Sequence, residues 1–176
     1  GSGVDTSYFK PKKIKKKKEY IILFPSRIIK EKGFYELEMA CNSLWIKGYK
    51  FLLYIVGDID LGNRSSLSKK ELIRLKHNKN IRFTGHVNNI KKFYQIADIV
   101  ILPSWREGLS RTILEASSMS KAIITTNVPG CRDIIKHNYN GLVVKAKDYK
   151  ALEKNIIFLL KNKKIAIKFG EYARKN

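Results

Sequence analysis

The chain has 176 residues with 44% hydrophobic content, which fits one soluble globular domain with a sizeable core. No apolar run reaches the ~18 residues of a membrane-spanning helix, and no secretory signal segment is recognisable before the first basic stretch. The formal net charge of +21 is extreme, and part of it is concentrated between Lys10 and Lys18.

The lysine-rich stretch has three interpretations: a solvated linker, a segment attracted to an anionic membrane surface, or a nucleic-acid-binding segment. Because no nucleic-acid recognition motif accompanies the charge, no nucleic-acid partner is expected. Peripheral contact with an anionic membrane stays open. We predict a basic linker over residues 1–19 and a folded domain over residues 20–176.

Strand and helix patterns alternate from residue 20 onward, which predicts an α/β fold with a doubly wound, Rossmann-like parallel sheet. Six strands are predicted: Tyr20–Phe24, Phe51–Val56, Asn80–Phe83, Asp98–Leu102, Ala122–Thr126 and Gly141–Val144. Seven helices are predicted: Lys32–Trp45, Leu67–His77, Asn88–Ile96 with Asn88 or Asn89 as N-cap, Leu109–Met119, Cys131–Lys136, a helix capped by Asp148 that runs to Leu160, and a last amphipathic stretch to about Arg174. No G-x-G-x-x-G follows the first strand, which argues against a dinucleotide-dependent dehydrogenase.

The segment from Glu107 to Glu115 follows an apolar strand that stops at Pro103, so it lies at a strand-to-helix junction. Ligands of open α/β sheets bind at such junctions. The amides of a helix start suit a phosphate, whereas carboxylates suit hydroxyl donors. Eight residues of helix rise roughly 12 Å, about the span from a ribose to a sugar across a diphosphate. The segment therefore predicts a nucleotide-sugar cradle.

The same segment resembles the E-x7-E signature of glycosyltransferase family 4, whose members are retaining enzymes with the GT-B fold. Other motifs of that family follow in the family's order: Gly3-Val4-Asp5 with Phe9, Arg27 with Lys32-Gly33, Val56-Gly57-Asp58, Phe83-Thr84-Gly85, Asn127 to Asp133, and Asn140 to Val143. The resemblance covers nearly all of the chain. It places the chain in the second, donor-binding half of a GT-B enzyme, whose N-terminal acceptor domain is missing here.

The resemblance also implies a set of catalytic residues in this half. Arg27 and Lys32 would contact the diphosphate, where fixed cations stabilise a departing anion, and Glu107 would meet the hydroxyls of the donor sugar. Without the resemblance, Arg27 and Lys32 are better interpreted as basic surface residues, and Glu107 as an acid that complements a helix dipole.

Further donor-binding residues are implied around these three. Glu115 would hold the ribose, although a solvated helix face is the alternative, and the remaining contacts would come from Gly57, Asp58, Val87, Gly108, Leu109, Ser110 and Arg111. The commonest family pattern is E-G-F-G, whereas here Ser110 replaces the second glycine. Similar variants act on lipid-linked sugars, often with an N-acetylhexosamine donor. Arg111 is either a third cation near the phosphates or a surface salt-bridge partner.

No metal cofactor is expected. The stretch Asp58-Ile59-Asp60 resembles the D-x-D of metal-dependent transferases, but the family's chemistry needs no metal, and a loop with a capping acid is the better interpretation. The two cysteines, Cys41 and Cys131, lack metal-ligand spacing and are expected to be reduced thiols of a cytoplasmic protein.

The expected function is transfer of a hexose or N-acetylhexosamine from a nucleoside diphosphate sugar to a glycan or lipid-linked acceptor, with UDP as the expected nucleotide. The reaction would take place in the cytoplasm, at the inner face of a membrane. The isolated chain is expected to bind the donor but to be inactive. The alternatives are a basic nucleic-acid-binding α/β domain, a UDP-sugar epimerase on the same fold, and a domain that only binds.

Overall fold

A six-stranded parallel sheet forms the centre of the computed structural model, which describes residues 3–12, 19–59, 63 and 65–176. Its strands are β1 (Ile21–Phe24), β2 (Leu52–Val56), β3 (Ile81–Gly85), β4 (Ile99–Leu102), β5 (Ala122–Thr126) and β6 (Leu142–Val144). The strand order is β3-β2-β1-β4-β5-β6, and every neighbouring pair is parallel. This order confirms the predicted doubly wound, Rossmann-like α/β fold.

Helices connect the strands: a short 3-10 helix (Lys30–Lys32), α1 (Phe34–Ile46), α2 (Lys69–His77), α3 (Lys91–Ile96), α4 (Arg111–Ser118), α5 (Pro129–Arg132), α6 (Tyr149–Lys161) and α7 (Lys163–Lys175). Helix α1 packs against α6, and α4 packs against α7, so the sheet lies between two helical layers. Of the described helices, none combines the length and the apolar character needed to cross a bilayer.

Strand burial follows the position of each strand in the sheet. All four residues of β1 and all four of β4 are buried, because central parallel strands are covered on both faces. The edge strand β3 instead alternates, with Ile81 buried and Arg82 exposed. The continuous apolar runs in the sequence therefore marked the central strands correctly.

Several predicted helix starts were wrong. Helix α1 begins at Phe34 and not at Lys32, because Gly33 adopts a left-handed φ of 72° between the 3-10 helix and α1. Helix α3 begins at Lys91, with Ile90 as an N-cap that makes no side-chain cap bond. The four-residue α5 begins at Pro129, a residue type preferred at the first helical position.

Two other helix starts are set by side-chain caps. Asp148 caps α6 as predicted, since its carboxylate accepts from the N–H of Ala151 at 2.9 Å. Helix α4 was predicted from Leu109 but begins at Arg111, because the Ser110 side chain accepts from the N–H of Ile113 and ends the preceding loop there.

The N-terminal residues 3–12 are anchored to the domain by Phe9, which is buried in the core and packs edge-on against Tyr94. The carbonyl of Phe9 accepts from the Ser118 hydroxyl at 2.7 Å and from the Arg174 guanidinium at 3.0 Å. Most of the lysine-rich stretch, residues 13–18, lies outside the described residues, and the boundary at residue 19 stays a prediction.

Loops at the carboxyl edge of the sheet approach each other at backbone distance. An ideal Cβ on Gly33 would lie 2.0 Å from the carbonyl oxygen of Pro103, and one on Gly130 would lie 1.1 Å from the carbonyl oxygen of Gly108. Gly57 has the same relation to Ser26, also at 2.0 Å. Only glycine permits these crossings, so they fix how the strand-to-helix loops stack.

Gly130→Ala should therefore destabilise the domain strongly, by about 2–3 kcal/mol or more, because the new methyl group forces the Gly108 loop to move. Gly108→Ala is the matched control, since nothing lies within 4 Å of its Cβ position, and it should change the free energy of unfolding by about 0.5 kcal/mol or less. Urea unfolding of the two variants measures both values. Equal stabilities would contradict the backbone contact.

Candidate active site

Lys32 and Glu107, two of the predicted catalytic residues, form an ion pair at the carboxyl edge of the sheet. The Lys32 ammonium donates to Oε1 of Glu107 at 2.6 Å, and the Ser104 hydroxyl donates to the same oxygen at 2.8 Å. The side chains of Lys32 and Glu107 are only 23% and 11% exposed. A shielded, charge-assisted bond of this kind holds both groups in a fixed position.

The loop that carries Glu107 is held by contacts that the sequence did not reveal. The N–H of Trp105 donates to the Glu31 carbonyl at 2.8 Å, and its indole N–H donates to the Glu36 carboxylate at 3.2 Å. The Lys147 ammonium lies 4.2 Å from the centre of the Trp105 ring. The loop is therefore fixed to the chain on either side of α1's start and to the β6–α6 connection.

Glu31 contacts Trp105 through its backbone carbonyl, whereas its carboxylate binds Ser65. The pKa of its side chain is lowered, mainly because the Ser65 hydroxyl donates to it at 2.7 Å. Hydrogen bonds to the charged form keep this carboxylate ionised beside the loop.

Glu115 lies on α4 with its side chain 11% exposed, so it does not belong to a solvated helix face. Its carboxylate accepts from the Tyr94 hydroxyl at 3.1 Å through one oxygen and from Nε of Arg111 at 3.0 Å through the other. Arg111 is 76% exposed and forms this i,i+4 salt bridge from the helix surface. Glu115 is thus oriented from both sides.

Tyr94, which the sequence did not mark as functional, is fully buried on α3 behind Glu115. Burial raises the pKa of its hydroxyl well above the ordinary value, and the neighbouring Glu115 carboxylate raises it further. The hydroxyl therefore stays protonated and donates to the carboxylate. Its only sequence signal was a tyrosine on the apolar face of a short helix, which is typical of a core residue.

The predicted 12 Å helical rise between the two carboxylates does not apply. Glu107 lies in the loop before Ser110, and only Arg111 to Glu115 share the helix. The separation of Glu107 and Glu115 is therefore set by the loop as well as by α4.

The other predicted donor-binding residues follow the same edge of the sheet. Exposed Arg27 follows β1, Gly57 and exposed Asp58 follow β2, and half-buried Val87 follows β3, whereas Gly108, Leu109 and Ser110 lead into α4. The Asp58 carbonyl accepts from the N–H of Ile28 at 3.1 Å, which links the β1 and β2 loops. Asp60 of the D-x-D stretch lies outside the described residues.

Within the part of the chain that the structure describes, no group of three or more histidine, cysteine, aspartate or glutamate side chains is arranged to hold a metal ion. The polar groups that the structure describes along this edge include cations, carboxylates and backbone amides.

Known proteins resemble this chain in both sequence and fold. The glycosyl transferases group 1 family matches residues 5–176. The capsular polysaccharide biosynthesis glycosyltransferase CapM of Staphylococcus aureus is 29% identical over 89% of this chain and 40% of its own length. The N,N'-diacetylbacillosaminyl-diphospho-undecaprenol alpha-1,3-N-acetylgalactosaminyltransferase of Campylobacter jejuni is 28% identical over 77% of this chain and 38% of its own length.

The chain thus spans about two fifths of the length of these curated relatives. A solved structure of the C-terminal domain of LpcC, a glycosyl transferase group 1 family protein of Francisella tularensis, superimposes with a TM-score of 0.86 at 27% identity. The superposition covers 98% of this chain and 95% of that domain. The chain therefore belongs to the glycosyl transferases group 1 family, and its sheet is the C-terminal half of a GT-B fold.

Proposed function

We propose that this chain is the nucleotide-sugar-binding half of a retaining glycosyltransferase. The full enzyme transfers a hexose or N-acetylhexosamine from a UDP-sugar to a glycan or lipid-linked acceptor at the cytoplasmic face of a membrane. The observation that carries the proposal is the shielded Lys32–Glu107 ion pair at the carboxyl edge of the sheet, followed by Glu115 on α4. Ligands of open α/β sheets bind at this edge.

The named relatives support the acceptor class. One acts in capsular polysaccharide biosynthesis, and the name of the other specifies a diphospho-undecaprenol-linked acceptor and an N-acetylgalactosaminyl group. Because these relatives are more than twice as long as the matched region, we propose that an acceptor domain completes the cleft. This chain alone would bind the donor and turn over little.

The ion pair suggests how the donor is accommodated. An incoming diphosphate accepts from the Lys32 ammonium, which releases the Glu107 carboxylate to accept from a sugar hydroxyl. As the bond between the sugar and the diphosphate breaks, negative charge grows on the leaving oxygen, and Lys32 and Arg27 stabilise it. These cations supply the charge compensation without a metal ion.

The start of α4 supplies further donors. Ser110 uses its side chain to cap the N–H of Ile113. The first N–H groups of a helix have no acceptor inside the helix, so the amides of Arg111 and Thr112 can donate to a phosphate at the positive end of the helix dipole. The Glu115 carboxylate, one turn further along, would then accept from the ribose hydroxyls.

Calorimetric titration with UDP, GDP and a panel of UDP-sugars at two salt concentrations tests the proposal. Saturable UDP binding is expected, and Arg27→Ala should weaken it about 10- to 100-fold, since a charge-assisted bond to the diphosphate is lost. A chelator should leave the affinity unchanged. Absence of nucleotide binding, with salt-sensitive binding of RNA or DNA instead, would favour the nucleic-acid alternative.

The two carboxylates should respond differently to substitution. Glu107→Gln should weaken binding of the correct UDP-sugar about tenfold, because a neutral amide oxygen replaces the charged carboxylate as acceptor for the sugar hydroxyl. It should leave UDP affinity unchanged or slightly raised, since Lys32 loses its competing partner. Glu115→Gln should weaken UDP and UDP-sugar equally, and calorimetry on the same panel separates the two patterns. Equal, negligible effects on both ligands would refute the assignment of both residues.

Tyr94 should act through Glu115. Tyr94→Phe removes one hydrogen bond of about 0.5–1.5 kcal/mol, so UDP and UDP-sugar should both bind about three- to tenfold more weakly. In a Glu115→Gln background the same change should have little further effect on affinity. Tyr54→Phe, which removes a half-buried hydroxyl on β2, is the control. Additive losses in the double variant would show that Tyr94 does not position Glu115.

A further inference from the structure

The N-terminal residues 5–12 lie outside the candidate active site, although they include Asp5 and Phe9 of the first family motif. They start with a tight turn, in which the Asp5 carboxylate accepts from the N–H groups of Ser7 and Tyr8 at 2.8 and 2.9 Å. The N–H of Phe9 donates to the Asp5 carbonyl at 2.9 Å, and the Phe9 side chain is buried in the core. We call residues 5–12 the N-terminal strap.

The N-terminal strap lies along the face of α3 that carries Tyr94. At one end, the Lys91 ammonium lies 4.6 Å from the centre of the Tyr8 ring. At the other end, the Gln95 side chain accepts from the N–H of Lys12 at 3.1 Å and donates to the carbonyl of the same residue. Lys91, Tyr94 and Gln95 share one face of the helix, because residues three and four apart are neighbours. The strap is therefore fixed on both sides of Tyr94.

Phe9 contacts both helices that position Glu115. Its ring packs edge-on against the Tyr94 ring of α3, with 6.1 Å between the ring centres. Its carbonyl accepts from the hydroxyl of Ser118, which follows Glu115 by one turn of α4, at 2.7 Å. Phe9 thus fixes α3 relative to α4. The same relation decides whether the Tyr94 hydroxyl reaches the Glu115 carboxylate, which accepts from it at 3.1 Å.

Arg174, near the end of α7, holds the N-terminal strap against α4. Its guanidinium donates to the carbonyls of Thr6 and Phe9, at 3.2 and 3.0 Å, and to the carbonyl of Ser118. Ser118 is the last residue of α4, where carbonyl groups lack acceptor partners inside the helix and a cation complements the dipole. One cation therefore joins the strap to the helix that carries Glu115.

We propose that Phe9 is a positioning residue for the Glu115 carboxylate, and that the N-terminal strap and the nucleotide site stabilise each other. The inference rests on the proposed function, in which Glu115 accepts from the ribose. The Phe9 ring holds the Tyr94 ring so that its hydroxyl meets Glu115, whereas release of the strap removes this support. Because coupling between two sites is reciprocal, a bound nucleotide in turn holds the strap more firmly.

Calorimetry on the whole chain tests the positioning role. Phe9→Leu keeps an apolar side chain in the core but loses the aromatic edge against Tyr94, so it should weaken UDP binding about threefold. Tyr94→Phe keeps the ring contact but removes the hydroxyl that reaches Glu115. In the Tyr94→Phe background, Phe9→Leu should therefore still lower the midpoint of urea unfolding but have no further effect on UDP affinity.

Phe51→Leu is the matched control for a loss of stability alone. Phe51 is a buried phenylalanine that stacks on Trp45, with 5.3 Å between the ring centres, at the amino edge of the sheet, where the parallel strands begin. Both leucine variants should unfold at lower urea concentrations, because each loses a buried aromatic contact. Only Phe9→Leu should weaken UDP binding. Equal losses of UDP affinity in the two variants, or a loss that persists in the Tyr94→Phe background, would overturn the inference.

Hydrogen exchange measures the coupling in the opposite direction. Saturating UDP should slow exchange of the Phe9 and Lys12 amides by about the same threefold factor, and this slowing should disappear in Tyr94→Phe. Unchanged exchange of these amides in the UDP-bound chain would contradict the coupling. Failure of the unaltered chain to bind UDP would refute the proposed function and this inference with it. UDP binding that Glu115→Gln weakens and Phe9→Leu does not would refute this inference alone.

Discussion

Backbone contact between strand-to-helix loops is the constraint on which the candidate site depends. Gly33 touches Pro103; Lys32 directly precedes Gly33 in the chain, and Ser104 directly follows Pro103. A side chain on Gly33 would separate the two loops and with them the Lys32 ammonium from the Glu107 carboxylate. The contact between Gly130 and Gly108 holds the same loop from the β5 side. Backbone packing between the loops therefore brings the site residues together, independently of the attraction between their charges.

The ion pair built on these contacts explains why a charged site can exist without a donor. A shielded ammonium or carboxylate alone would be costly to bury, whereas the pair satisfies both groups, and Ser104 satisfies the carboxylate further. In the proposed function this pair would open on donor binding, because a diphosphate and sugar hydroxyls would offer Lys32 and Glu107 equivalent partners. A site held in this way is preorganised for an anion next to a hydroxyl-rich group.

The sequence predicted the strands better than the site, because strands depend on neighbouring residues whereas the site depends on contacts between residues far apart in the chain. Apolar runs such as Ile99 to Leu102 are local, and local patterning decides that they become buried strands. Helix starts were less well predicted, because they depend on single residues: the Ser110 side chain caps α4, and the left-handed Gly33 precedes α1.

The supports of the site were not predictable from local patterns. Tyr94 meets Glu115 across 21 residues, and Trp105 meets Glu36 across 69 residues. No spacing rule relates residues so far apart, and only the sheet order brings them together. The motif residues could be proposed through family resemblance, whereas the residues that orient them required the fold.

The two edges of the sheet divide the electrostatic character of the domain. At the carboxyl edge, Lys32 and Arg111 are paired with Glu107 and Glu115, which leaves a surface suited to a ligand with both charge and hydroxyl groups. The amino edge has few carboxylates among its described residues, and its lysines face solvent. The net charge of +21 is therefore partly neutralised around the candidate site but not at the amino edge. Because the helices fix the distance between the edges, the lysines of the amino edge stay a helix length from a donor bound at the carboxyl edge.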